Sequence, residues 1–151
     1  MKRLGYFEIA GKRYPLSFSL GASKAIAQKF GSISKMGETL NNMKDMDEKT
    51  IDDLTYIVSL LMKQGAAYKN VFEKDLPIPE DAPVDENGKY VALEQDQVEI
   101  GIGIPDAKEL IAAIMEAMGK GTETELETET TKNPEAPEDT ETSTLTSGAD
   151  N

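Results

Sequence analysis

The stretch Leu4-Gly5-Tyr6-Phe7-Glu8-Ile9-Ala10-Gly11-Lys12-Arg13-Tyr14-Pro15-Leu16-Ser17-Phe18-Ser19-Leu20 decides the fold. Gly11-Lys12 supplies the glycine that tight hairpin turns favour, between two runs of strand-forming residues, so the stretch reads as an antiparallel pair. In the second strand Tyr14, Leu16, Phe18 and Leu20 alternate with Arg13, Ser17 and Ser19, which predicts one buried face and one wet one. The first strand carries Tyr6, Phe7 and Ile9 on both faces, and Pro15 has no N–H to donate, so at least one strand belongs at an edge. An isolated hairpin is marginal in water, and helices must therefore cover it.

The residues that follow supply those helices. Ala22, Ala25, Ile26 and Phe30 fall at helical spacing, and Gly31 suits a left-handed helix end. Ser32 reads as the N-cap of a short helix carrying Ile33, Met36 and Leu40, interrupted at Asn41-Asn42. Asp47 precedes the strongest pattern in the chain: Ile51, Leu54, Val58, Leu61, Met62 and Gly65 at intervals of three and four, extended to Phe72 by Tyr68. Its small patch Gly65-Ala66-Ala67 would let another backbone approach closely. From Leu76 to Tyr90, Pro77, Pro79, Pro83 and Asn87-Gly88 predict an exposed loop. Val98 to Ile104, with Ile100, Ile102 and Ile104 on one side, reads as a third strand or a hydrophobic strap. Pro105 then opens a helix whose stripe, Ala107, Leu110, Ile111, Ile114, Met115 and Met118, ends at Gly119. The expected fold class is α+β, mainly α: an N-terminal β-hairpin packed on a small helical bundle, residues 1–120. Residues 121–151 read as a disordered acidic tail, because Thr, Glu, Ser, Pro and Asp with few aliphatic groups bury too little surface to offset chain entropy.

Composition narrows the function. The 151 residues include no cysteine and no histidine, which removes thiol nucleophiles, the usual zinc ligands and the side chain best suited to neutral-pH proton transfer; the expectation is a binding protein and no enzyme. The net charge of -12 divides into +6 over 1–44, -10 over 45–120 and -8 beyond. The basic third could touch nucleic acid, but the whole chain's field repels phosphate, so no nucleic-acid partner is expected. There is no apolar stretch for export or for spanning a bilayer, which predicts a cytoplasmic protein without a membrane partner. The acidic group Asp45, Asp47, Glu48, Asp52 and Asp53 lacks the glycine and closing glutamate of a calcium loop, and a cap with first-turn acids accounts for it; no metal and no cofactor are expected. Gly101-Ile102-Gly103 lacks the rest of a dinucleotide fingerprint. The methionines serve either as core or as an adaptable partner surface. On the last helix Ile111, Met115 and Met118 are the candidate partner-binding residues, in a stripe that docks on its own domain or is offered to a partner.

Gly5 to Leu20, then Ala25-Ile26-Ala27 and Phe30-Gly31-Ser32, resemble the tail assembly chaperones of long-tailed phages and prophages of Gram-positive bacteria. The likeness continues through Leu60-Leu61-Met62-Lys63-Gln64-Gly65-Ala66-Ala67-Tyr68 and Ile114-Met115-Glu116-Ala117-Met118-Gly119-Lys120. The resemblance implies a protein that binds the tape measure protein, keeps it soluble and helps tail tube protein assemble around it. It implies action in the bacterial host's cytoplasm and absence from the mature virion, with homo-oligomer formation left open. The alternative is a structural tail or head-tail connector component retained in the particle. A third reading is a nucleic-acid-binding regulator.

The resemblance also implies two products from one gene through a ribosomal frameshift. Met118-Gly119-Lys120 and Thr131-Lys132-Asn133 are compatible with the slippery heptamers G GGA AAG and A AAA AAC. On this reading the gene sequence carries one of the two; codons that break both would remove these sites.

Overall fold

The computed structural model describes residues 3–43 and 45–132. The chain divides after Gly121, and the described residues before that point form one compact unit. The elements are β1 (Leu4–Ile9), β2 (Lys12–Ser17), α1 (Leu20–Phe30), α2 (Ile33–Asn41), α3 (Glu48–Phe72), α4 (Gln95–Gly101), a 3-10 turn at Ile104–Asp106, and α5 (Ala107–Lys132). This is the expected α+β fold, mainly α, with an N-terminal hairpin on a helical bundle.

The strands pair antiparallel, Leu4 opposite Ser17 and Ile9 opposite Lys12. The connection is Ala10-Gly11, one residue earlier than the Gly11-Lys12 expected, and both residues take positive φ, 52° and 81°. That left-handed pair matches the twist of the strands. Tyr14, Leu16 and Phe18 are buried as the alternation predicts, but Pro15 and Ser17 are buried too, so β2 has no wet face over these residues. Leu20 departs from the strand pattern: it is 90% exposed and begins α1. Ser19 causes the switch, its hydroxyl accepting from the Ala22 N–H at 3.1 Å as an N-cap.

Gly31 ends α1 with φ 96°, Ser32 caps α2 through the Lys35 N–H at 3.0 Å, and Asp47 caps α3 through the Thr50 N–H at 2.9 Å. Each of these caps is where the residue pattern puts it. The floor of the core is α3, whose Ile57, Val58 and Leu61 are fully buried with Leu16 of β2, Ile26 of α1, Met36 of α2 and Ile114 of α5. Gly65 is the point of closest approach: a Cβ there would overlap the Pro15 carbonyl oxygen. The small patch read in the sequence thus receives β2.

The 76–90 loop is exposed over most of its length yet tied down. The Asn70 side chain accepts from the Tyr90 N–H at 2.9 Å and donates to the Tyr90 carbonyl at 3.0 Å, and the Arg13 N–H donates to the Asp81 carbonyl at 2.8 Å.

Two expectations are corrected. Val98 to Ile104 is neither strand nor strap: α4 covers Gln95–Gly101, followed by the 3-10 turn. The helix is favoured because Gln97 reaches back to accept from the Glu94 N–H at 2.9 Å, and because burying Val98 and partly burying Ile102 uses a spacing of four rather than two. Nor does the last helix stop at Gly119, since α5 continues to Lys132. Gly119 has no positive φ and ends nothing. Gly121 serves packing, for a Cβ there would lie 2.6 Å from the Phe18 carbonyl oxygen. The glutamates beyond it are good helix formers. The rest of the expected tail, 133–151, lies outside the described residues.

Gly65→Ala should destabilise by about 1–3 kcal/mol although alanine is the better helix former, because a backbone oxygen cannot yield as a side chain does. Gly37→Ala, inside α2 with nothing within 4 Å of the new methyl, should stabilise by about 0.5–1 kcal/mol. Urea unfolding of the two variants checks both signs.

Candidate functional site

The α3–α4 junction is held by polar contacts from one face of α3. The buried Ser59 hydroxyl donates to the Leu93 carbonyl at 2.7 Å, and Lys63 Nζ pairs with Glu94 at 2.9 Å. Gln95 Nε2 donates to the Asp52 carbonyl and to the Thr55 hydroxyl, each at 3.2 Å. These contacts anchor the start of α4 against α3 but leave a gap farther along. The result is an apolar cleft of about 250 Å³ between the first half of α3 and the segment from α4 into α5.

Its floor is Leu54, Val98 and Leu110, all buried; Ile51, Ile102 and Met46 form half-buried walls. At the rim Ile104 is 71% exposed. Glu99 is the charged residue lining the cleft, and Asp52 lies exposed beside it on α3. The Thr55 hydroxyl is committed, donating to the Ile51 carbonyl at 2.9 Å. The lining is apolar apart from Glu99 and the Thr55 hydroxyl, which lies 3.5 Å from Glu99 Oε2, and such a cleft can accept apolar side chains. Its volume falls below the roughly 300–1,000 Å³ of small-molecule pockets.

The three residues singled out on α5 lie elsewhere. Ile111 and Met118 are half-buried and pack against the core, while Met115 is 36% exposed. None of them lines the cleft, to which α5 contributes Ala107 and Leu110. The buried stripe of α5 is Ala107, Leu110, Ile114 and Ala117, so this helix docks on its own domain. Sequence reading missed Met46, Ile51, Ile102 and Ile104 as a group. Their signal was the run of isoleucines at 100, 102 and 104, read as one strand when Ile100 lies at the end of α4, Ile102 is extended and Ile104 opens the 3-10 turn. The methionines divide: Met36 and Met62 are core, Met46 lines the cleft.

The acidic group at the start of α3 resolves into structural roles. Asp47 is the cap, and Asp53, buried, pairs with Lys49 at 2.7 Å. Among the described residues no cluster of three or more acidic, cysteine or histidine side chains could hold a metal ion. No described helix is long and apolar enough to cross a membrane. No protein family, curated protein or solved structure matches the chain.

Hydrogen bonds from the Thr50 backbone and side chain hold the Asp47 carboxyl below its usual 3.8. A depressed carboxyl contributes stability that is complete above the ordinary value and lost as pH falls through the lower folded-state value. Asp47→Asn keeps an acceptor but not the charge. Its deficit in stability relative to wild type should therefore be larger near pH 7 than near pH 3, measured by urea unfolding at the two pH values.

Proposed function

We propose that this domain is a non-catalytic tail assembly chaperone of a long-tailed phage or prophage, which binds the tape measure protein and keeps it soluble while tail tube protein assembles around it. The observation that supports the reading is the apolar cleft between α3 and the α4–α5 segment, with Ile104 standing exposed at its rim. A long helical client presents apolar seams that aggregate when uncovered. A cleft of this size takes the apolar side chains of one such seam in the manner of a helix in a groove. The chain's net charge of -12 keeps the resulting complex apart from its copies. The resemblance of the hairpin and of the α3 and α5 segments supplies the identity of the client. On this reading the protein works in the cytoplasm of the bacterial host and is absent from the finished particle.

Co-expression with the tape measure protein encoded beside it tests the proposal. Wild type should keep the client in the soluble fraction, and Ile104→Glu, which places a charge at an already exposed position, should fold normally yet lose most of that effect. A client that precipitates equally with and without the wild-type domain would overturn the reading. So would stoichiometric amounts of this protein in purified particles, which would favour a structural component.

A further inference from the structure

The hairpin leaves one edge open, and the register shows which backbone groups lie on it. Tyr6 stands opposite Pro15, which has no N–H, so this pair cannot exchange ladder hydrogen bonds. Bonded and non-bonded pairs alternate along an antiparallel ladder, which makes Glu8 opposite Arg13 a non-bonded pair as well. The Arg13 N–H confirms the phase, since it points away from β1 to the Asp81 carbonyl at 2.8 Å. The N–H and C=O groups of Tyr6 and Glu8 must therefore point outward, away from β2. Among the described residues no backbone group pairs with them.

This edge faces a groove. Five consecutive residues, Tyr6 to Ala10, line it, which is what an edge presents; a strand face would contribute alternate residues. Its far wall is one face of α5, with Glu109, Ala112, Ala113 and Glu116 at helical spacing. At the Leu4 end α5 closes on the strand: Lys120 Nζ donates to the Leu4 carbonyl at 3.3 Å, and a Cβ on Gly5 would lie 3.3 Å from that of Ala117. Beyond that contact the gap opens to about 540 Å³. Its charges share one sign: Glu8 on the strand, Asp106 at the end of the 3-10 turn, Glu109 in the first turn of α5, and Glu116, which Lys120 neutralises at 3.3 Å. Glu8 and Glu109 make no ion pair among the described residues.

We infer that the β1 edge is a strand-addition site for an extended, lysine- or arginine-bearing segment of a partner protein. The outward groups of Tyr6 and Glu8 supply main-chain hydrogen bonds, and the acidic walls select the charge of the incoming side chains. The same charges exclude the other occupants. A second copy would bring its own Glu8 to an acidic groove, and the glutamate-rich 121–151 segment carries the wrong sign. The groove shares Ile102 with the apolar cleft, but its strand edge and the Glu109–Glu116 wall lie outside the cleft's floor of Leu54, Val98 and Leu110, so the proposal is tested apart from the client reading.

The test is an amide-resolved NMR titration of the full chain at low salt with a short synthetic peptide of alternating lysine and valine. The expected result is shifts and exchange protection at the Tyr6 and Glu8 amides, no change at Leu54 or Val98, and affinity that falls as salt is added. Glu8→Pro should weaken binding about tenfold by removing one outward donor and one charge. Because Glu8 makes no ladder bond to β2, this variant should retain its fold. Glu109→Lys, which leaves the strand untouched, should also weaken binding and covers the case in which the proline variant does not fold. No binding, binding mapped to the apolar cleft, equal binding by a glutamate-valine peptide, or unchanged affinity in Glu109→Lys would each overturn the proposal.

Discussion

The close approach of the Pro15 carbonyl to Gly65 is the contact on which the rest of the molecule depends. A two-stranded sheet cannot stand alone, and this one survives because β2 is laid directly on the longest helix, where the absence of a side chain lets backbone meet backbone. That seat buries Leu16 and Phe18 among α3, α1 and α5 and sets which way the hairpin faces. Pro15 fits because β2's outer edge needs no regular ladder there. One of its outward groups, the Arg13 N–H, goes to the 76–90 loop instead. The same phase leaves the outward groups of β1 without partners. The pairing of Pro15 with Tyr6 thus fixes which groups of β1 point outward, and the placement of α5 leaves them open.

Around that seat the polar contacts are few and each has a positional task. Ser59, Lys63, Gln95 and Thr55 fasten the start of α4 along one side of α3, and Asn70 fastens Tyr90 farther along. Between these fastenings and the docking of α5 there is more space than Leu54, Val98 and Leu110 can fill, and the apolar cleft is what remains. The Arg13 guanidinium lies 4.0 Å from the Tyr6 ring centroid, and Lys69 pairs with Glu73 at 2.8 Å beside the same ring. These cations gather where the hairpin meets α3. The residues lining the cleft and the β1 groove include carboxylates and no cation.

Much of the architecture was legible in local pattern. The alternation in Tyr14, Leu16 and Phe18 marks a strand, and Ser32 and Asp47 mark helix starts, because an N-cap depends on two or three neighbouring residues alone. Gly31 is equally local. The errors fall where one pattern admits two periods. Ile100, Ile102 and Ile104 alternate like a strand, but the outcome turned on the Glu94–Gln97 contact and on Val98 finding the core, and two of the three isoleucines ended exposed. Leu20 continues the strand alternation on paper, yet the Ser19 cap ends the strand first. Ile111 and Met118 lie on a flank of α5 that leans on the core, which a stripe read from spacing alone does not distinguish from a free face.

The amino-acid sequence by itself determined the hairpin, the caps, the long amphipathic α3 with its glycine, and the sign of the charge, since these rest on residue type and on spacing within a few positions. Only the tertiary structure decided which apolar residues close the core and which border an open cleft, and which edge of the hairpin is left unpaired. Those outcomes depend on contacts between residues far apart in the chain, Pro15 with Gly65, Leu54 with Val98 and Leu110, β1 with the face of α5, and no local pattern encodes the distance between them.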